Sequence, residues 1–232
     1  MRAISLSICL LFFLTSYGQD RRTPDFAISI TPQVSQQIIE DTRVVDSDRK
    51  FGFALRGDVS FKLSPSWQIN TGLFYQLTEI AQKDYSVMMA CDFHSSAPSL
   101  LDSWYEDEFS LHYLGIPLEL KYWPSRNSSL PYLSIGLSPA LNLSYNRMTI
   151  SHNCLGSKVE DDEYLNTPNR LLFLASFGIG YEFQLGSNMR FLLEPRVGYS
   201  MNRVFNELVQ ETFTTNDSKL LTWGIRFGIL IK

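Results

Sequence analysis

The sequence predicts an all-β protein, namely an eight-stranded antiparallel up-and-down transmembrane β-barrel with short periplasmic turns and long extracellular loops. Three observations predict this fold. Apolar and polar residues alternate along eight segments of the chain. The connections between these segments are alternately short and long. The polar side of the segments is rich in glycine and serine with single charges between them, which suits a narrow polar lumen.

Composition limits the class of protein. The chain has 232 residues, of which 44% are hydrophobic and 19% charged, and this balance argues against disorder. The net charge of -4 gives no sign of the basic patch that a nucleic-acid-binding protein needs, so no nucleic-acid partner is expected. The longest apolar run, residues 4–14, is too short to cross a bilayer as a helix.

The first residues resemble an export signal. Arg2 precedes the apolar run, and Ser16-Tyr17-Gly18 follows it with small residues where a signal peptidase would cut. We therefore expect residues 1–18 to be a signal peptide and residues 19–232 to form one barrel domain in an exported protein.

Each strand is predicted by its own alternation. The eight segments are 26–35, 51–63, 67–78, 114–122, 132–146, 171–184, 190–200 and 221–229. Their apolar faces begin, in that order, with Phe26 and Ile28; Phe51 and Phe53; Trp67 and Ile69; Leu114 and Ile116; Leu133 and Ile135; Leu171 and Phe173; Phe191 and Leu193; and Leu221 and Trp223. Since side chains in a strand point alternately to opposite faces, each segment forms a two-faced strand.

The fourth segment shows how charges fit this pattern. In LGIPLELKYWP, residues 114–124, Leu118 and Leu120 lie on one face, and Glu119 and Lys121 lie on the other. Pro117 has no amide hydrogen and removes one bond from the ladder, so a bulge or local strain is predicted there.

Some residues break the alternation. Gly57 interrupts an apolar face, and five apolar residues fall on polar faces: Phe74, Leu172, Leu174, Leu192 and Leu230. We interpret these exceptions as weakening individual strands without changing their number.

The connections set the topology. Residues 64–66, 124–129 and 186–188 are short and rich in turn-forming residues. The other four, roughly 37–50, 82–108, 149–168 and 205–218, are long. Antiparallel neighbours joined in this way place all short turns on one side, as in bacterial outer-membrane barrels.

A lipocalin is the structural alternative, because it is also an eight-stranded barrel but has its apolar side inside. The membrane orientation is favoured by strands longer than about 10 residues and by aromatic residues near strand ends. These aromatic residues are Trp67, Tyr75, Tyr122, Tyr145, Tyr199 and Trp223.

The membrane orientation directs a set of charges into the lumen. An eight-stranded barrel is just wide enough for side chains to fill it, and isolated buried charge is costly. We therefore predict a hydrogen-bonded network that closes the lumen. Its main members are Arg56, Asp58, Glu119, Lys121, Glu182, Glu194, Arg196 and Arg226, joined by Lys62 and Arg190.

Two of the strands carry a resemblance. LGIPLELKYWP, followed by PYLSIGLSPALNLSY at 131–145, is similar to the paired fourth and fifth strands of the Bacteroidota outer-membrane β-barrel family that includes the PorT-like proteins, and GIGYEF at 178–183 adds to it. The resemblance implies the barrel fold. Because PorT is associated with the type IX secretion system, it also implies an accessory of a secretion or envelope-assembly machine. The chain departs from the common barrel ending, since Lys232 is not aromatic, which leaves Phe227 within GIRFGILI as the expected assembly signal.

The long loops hold further candidates. A disulfide between Cys91 and Cys154 would join two loops on the same side, and two unpaired thiols are the alternative. Met88, Met89, Trp104 and Tyr105 are apolar enough to form a partner-contact loop, or else to pack over the barrel mouth. The acidic runs 106–108 and 160–163 lack calcium-loop spacing, so solvated charge is the alternative to a cation shared with lipopolysaccharide.

A non-enzymatic component that uses no cofactor and no metal is the function expected. Its expected partners are outer-membrane lipids and lipopolysaccharide, the barrel assembly machinery during insertion, and secretion or envelope-assembly subunits. One alternative is a lipid-modifying enzyme, which needs a nucleophile and a base clustered around His112, with Ser110 two residues away. The other is a narrow channel, which needs an open lumen.

Overall fold

A computed structural model of the chain describes residues 24–39, 45–84, 104–124, 131–153, 156–160, 168–205 and 218–231. The predicted signal peptide, the two cysteines of the predicted disulfide, and Met88 and Met89 lie outside these residues. The described part contains no helix long and apolar enough to cross a membrane.

The described chain folds into eleven β-strand segments. They are β1 (Asp25–Ile39), β2 (Val45–Asp48), β3 (Lys50–Lys62), β4 (Trp67–Asp84), β5 (Trp104–Gly115), β6 (Leu118–Tyr122), β7 (Tyr132–Asn153), β8 (Gly156–Glu160), β9 (Leu171–Gln184), β10 (Met189–Ser200) and β11 (Ser218–Ile231).

All pairings are antiparallel, and the sheet closes on itself. Starting from β1, the neighbours are β3, β4, β5 with β6, β7, β9, β10 and β11, and β11 pairs with β1 from Phe26↔Ile231 to Ile39↔Ser218. β2 continues the edge of β3 along β4, and β8 continues that of β9 along β7. The eleven segments thus occupy eight positions around the barrel, which confirms the predicted fold class.

Burial shows which face points inward. Polar residues such as Ser29, Gln33, Asn70 and Gln76 are buried, whereas the alternate residues of the same strands are exposed and apolar, for example Ile28, 74% exposed. A water-soluble barrel would have the opposite arrangement. The apolar outer surface is the one that meets lipid, and the lipocalin alternative is excluded.

Several strands are longer than the alternation predicts. β4 has 18 residues and β7 has 22, about twice the 9–11 needed to cross a bilayer core. The prediction that residues 104–108 belong to a loop is wrong, because Trp104 and Tyr105 begin β5 and the acidic residues 106–108 follow in the same strand. Above the lipid both strand faces can be polar, so the apolar alternation that marks a strand is lost there.

Pro117 interrupts one position of the barrel without changing its register. β5 ends at Gly115 and β6 begins at Leu118. On the neighbouring β4, Gly115 pairs with Phe74 and Leu118 pairs with Thr71. The two pairs are three residues apart on each strand, so the register is kept. The predicted bulge at Pro117 is therefore absent. A register shift lies instead between His112 and Tyr113.

Candidate functional site

The centre of the lumen is organised around Glu119. Its Oε2 accepts a hydrogen bond from Arg56 Nη1 at 2.8 Å, and its two oxygens accept a pair from Arg226 at 2.9 and 3.1 Å. Arg196 Nη2 lies 3.5 Å from Oε2, and Asn70 Nδ2 donates to Oε1 at 3.3 Å. The alternation of β6 aims this carboxylate inward, where it is 2% exposed.

Glu194 of β10 is the second carboxylate at this level. It accepts hydrogen bonds from Arg226, from Tyr132 Oη at 2.6 Å and from Ser134 Oγ at 3.2 Å. Arg226 therefore lies between Glu119 and Glu194. Paired charges with several charge-assisted hydrogen bonds are the arrangement that lets ions remain buried.

A second group of charges lies toward the short turns. Lys121 Nζ lies 3.3 Å from Glu182 Oε1, and Glu182 also pairs with Arg190. Arg190 in turn pairs with Asp25 at 2.5 Å, and Lys62 lies 3.3 Å from the same carboxylate. Lys62 is 35% exposed in its side chain, so this group reaches the mouth of the barrel.

Tyr132 joins the two groups. The Lys121 ammonium lies 4.4 Å from the centre of its ring, and its hydroxyl donates to Glu194. We call the whole set the lumen network, and its charged members are Asp25, Arg56, Asp58, Lys62, Glu119, Lys121, Glu182, Arg190, Glu194, Arg196 and Arg226. It contains all eight main residues that the sequence predicts for the lumen.

The sequence does not predict four of the residues in these contacts, namely Asp25, Asn70, Tyr132 and Ser134. Asp25 precedes the first predicted strand by one residue, so its inward position depends on strand pairing that alternation does not give. Tyr132 and Asn70 lie on faces correctly read as polar. Their uncharged side chains gave no sign that they would contact the charged residues.

An apolar cluster closes each end of the lumen. At the short-turn end, Trp123 packs on Tyr132 with ring centroids 5.2 Å apart, together with Ala27, Leu192 and Leu230. At the long-loop end, the cluster consists of Phe74, Ile80, Phe109, Leu111, Tyr113, Ala140, Leu172, Leu174, Val204, Phe205 and Leu220. The five apolar residues that the sequence presents as exceptions all belong to these clusters. They fill the lumen rather than weaken the strands.

Between the network and the cluster at the long-loop end lies a chamber of about 60 Å³. Arg56 and Arg196 line it, and so do Phe74 and Leu174. It is the polar space that the network leaves unfilled.

The extended strands beyond the lumen carry their own ion pairs. Lys50 Nζ lies 2.5 Å from Glu108 and 4.0 Å from Glu106. Arg147 Nη2 lies 2.8 Å from Asp107, and the guanidinium lies 5.7 Å from the centre of the Phe109 ring. The acidic run at 106–108 is thus paired with cations. Among the described residues, no cluster of potential metal ligands occurs.

His112 lies on the outer side of β5, opposite Leu77 and Ser144. Its Nδ1 is 2.6 Å from Tyr75 Oη, which leaves Nε2 as the second ring nitrogen. Ser110, the nucleophile named from the sequence, lies opposite Glu79 and Asn146. The structure therefore places Tyr75 in contact with the imidazole and Ser144 opposite His112 on β7.

Comparison with known proteins gives one family. The family model described as an outer membrane protein beta-barrel domain matches residues 25–206. No curated protein sequence matches the chain.

Three solved structures with a similar fold are distant from this chain in sequence. They include Ail of Yersinia pestis, at 13% identity over 90% of this chain and 100% of that one, with a TM-score of 0.40. OprG of Pseudomonas aeruginosa has 11% identity over 90% and 97%, with a TM-score of 0.45. The outer membrane protease OmpT of Escherichia coli has 10% identity over 91% and 99%, with a TM-score of 0.47.

Proposed function

We propose a role for this chain, which belongs to the outer membrane protein beta-barrel domain family and is an integral protein of the outer membrane. The role is that of a non-enzymatic structural or interaction component, an accessory of a secretion or envelope-assembly machine. The finer resemblance to the PorT-like proteins of the Bacteroidota, seen in residues 114–124 and 131–145, supports the choice of machine.

One observation carries the proposal: side chains of the described residues occupy the middle and both ends of the lumen. The lumen network occupies the middle, and apolar clusters occupy both ends. A conducting barrel needs a continuous polar path. In the described residues the charged side chains neutralise one another across the lumen, and these ion pairs hold the strands together. The interior therefore serves stability, and interactions are left to the outer surface.

The long strands supply that surface. In the expected orientation the short turns face the periplasm, so β4, β5, β7 and β8 extend on the outer side of the membrane. Ion pairs such as Arg147 with Asp107 link β7 to β5 there. The segment that contains Met88 and Met89 connects β4 to β5 in the sequence, and Trp104 and Tyr105 begin β5.

A pull-down tests the accessory role. The tagged protein would be extracted from native outer membranes in mild detergent, and its partners identified by mass spectrometry and complex size. We expect secretion or assembly subunits with the wild type and their loss when Met88, Met89, Trp104 and Tyr105 are replaced by alanine. A matched variant, Leu208→Ala with Phe213→Ala in another long connection, should keep them. Recovery of the wild type as a lone monomer would refute the accessory role.

The channel alternative is tested separately. We expect a silent barrel in planar-bilayer recordings, since both ends of the lumen are closed by apolar side chains. Reproducible single-channel openings that persist after further purification would favour the channel over the proposed role.

The lipid-modifying enzyme is kept as the second candidate because of one contact. Tyr75 holds Nδ1 of His112, and Ser144 lies opposite the histidine on the next strand. A base oriented by one neighbour beside a hydroxyl is the arrangement that nucleophilic catalysis uses. Lipids from cells producing His112→Ala or Ser144→Ala would be compared with wild type, and an unchanged lipid profile would count against this candidate.

A further inference from the structure

The chamber above the lumen network has walls of two kinds. Phe74 and Leu174 of the apolar cluster close the side toward the long loops, and the guanidinium-bearing residues Arg56 and Arg196 lie on the network side. The volume open to the centre of a water-sized sphere is about 60 Å³, and on that measure one water needs about 10–15 Å³. The space is therefore large enough for a small polar guest that is larger than one water.

Two nitrogen donors of the lining have no acceptor among the described residues. They are Nη2 of Arg56 and Nε2 of Gln33, and their residues are only 8% and 7% exposed. A buried donor without an acceptor costs roughly 1–3 kcal/mol, and more when it is charged. The chamber therefore places unused hydrogen-bond donors around an empty volume.

The lining carries no opposing acidic group. Among the described residues around the chamber, two are arginines and none is aspartate or glutamate. The hydroxyl of Thr222 and the side chain of Ser176 add donors that can turn toward a guest. Ser176 already accepts a hydrogen bond from Arg196 at 2.9 Å, which leaves its own hydrogen available.

The charge of the lining also favours an anion. Arg56 and Arg196 line the chamber, whereas the carboxylates that pair with them, those of Asp58, Glu119 and Glu194, do not. The surface that a guest meets is therefore positive, and an anion is the guest that such a surface favours.

We propose that this chamber is a binding site for one small monovalent anion, of the size of chloride, held by Arg56 and Gln33. A neutral water would accept from the same donors but would not offset the positive charge of the two arginines on the lining. The anion stabilises the folded barrel and is not a transported substrate, because the apolar clusters close the lumen on both sides. The site is independent of any partner of the barrel.

Chloride titration of the unfolding temperature tests the proposal. The purified barrel in phospholipid vesicles would be heated at constant ionic strength while chloride replaces gluconate, a much larger anion. At a tenfold excess over the dissociation constant, we expect a rise on the order of 3–6 °C. An unfolding temperature that does not depend on chloride would overturn the proposal.

Two variants assign the effect to the chamber. Gln33→Leu removes one unpartnered donor and should abolish or reduce the chloride-dependent rise. Gln68→Leu is the matched control, because Gln68 is also a buried lumen glutamine but donates to Asn70 at 2.7 Å, outside the chamber lining. It should keep the full rise, and an equal rise in both variants would contradict the assignment.

A crystallographic measurement does not depend on any variant. The wild-type barrel would be refolded and crystallised in bromide, and we expect an anomalous peak within hydrogen-bond distance of Arg56 Nη2 and Gln33 Nε2. Density in the chamber without anomalous signal would show water there and would overturn the anion site.

Discussion

Arg226 and Glu119, which are 107 residues apart in the chain, meet in the middle of the lumen through two parallel hydrogen bonds of 2.9 and 3.1 Å. The planar guanidinium matches the two carboxylate oxygens, which is the strongest geometry for such a pair. The same carboxylate is in contact with Arg56 and Arg196. One acidic side chain therefore serves three cations.

Removal of that carboxylate should be severe. Glu119→Gln keeps the size of the side chain but leaves three arginines without their shared anion, and breaking a buried ion pair costs about 3–5 kcal/mol. We expect a loss of this order in the free energy of unfolding, measured by urea titration in vesicles with tryptophan fluorescence. A change within 1 kcal/mol would show that the arginines find other partners.

A carboxylate on the extended strands should matter much less. Lys50 and Glu108 are 29% and 35% exposed in their side chains although they pair closely, and exposed pairs contribute roughly 0–1 kcal/mol. A double-mutant cycle with Lys50→Ala and Glu108→Ala should give a coupling energy in that range that falls as salt is added. A coupling above about 2 kcal/mol would mean that the pair is shielded from solvent.

The lipid-facing surface should respond to charge according to depth. Leu55 and Phe61 share the outer face of β3, are 46% and 43% exposed, and differ in their distance from the turn that follows Lys62. Arginine on the lipid face costs about 2–4 kcal/mol near the midplane and about 0–1 near the interface. We expect Leu55→Arg to lower unfolding stability in vesicles much more than Phe61→Arg, and equal effects would place the membrane elsewhere on the barrel.

Gly180 should not tolerate a side chain. A Cβ at this position would lie 2.2 Å from the hydroxyl of Tyr132, so Gly180→Ala must displace the ring that contacts Glu194 and Trp123. Overpacking of this kind costs about 1–3 kcal/mol. Gly57→Ala is the control, because a Cβ there meets no atom within 4 Å. Both would be measured by urea unfolding, and an equal stability of the two variants would contradict the expected packing.

The sequence predicts the barrel well where lipid imposes a pattern. Because one face of each crossing strand must be apolar, residues such as Ile28 and Ile135 mark the strands, and all eight positions are found. Beyond the lipid that constraint ends, so the sequence predicts a loop at residues 104–108 although they pair with β4 and β7.

The sequence predicts which residues lie in the interior, but it does not predict which of them are in contact. Alternation places Glu119 and Arg226 in the lumen, but it does not state that they touch, because that depends on the register of every strand between them. The same limit applies to the apolar residues of the lumen. In the pattern of a single strand Leu192 and Leu230 are exceptions to the alternation, and only the closed barrel shows that they pack with Trp123 in one cluster.

Closure of the barrel completes the neutralisation of its interior. β11 pairs with both β1 and β10, and it is also the strand that carries Arg226 between Glu119 and Glu194. Glu194 lies opposite Arg226 on the neighbouring β10, whereas Glu119 lies on β6, on the far side of the lumen. No two neighbouring strands can form the contact between Arg226 and Glu119, so this contact is a marker of the closed barrel.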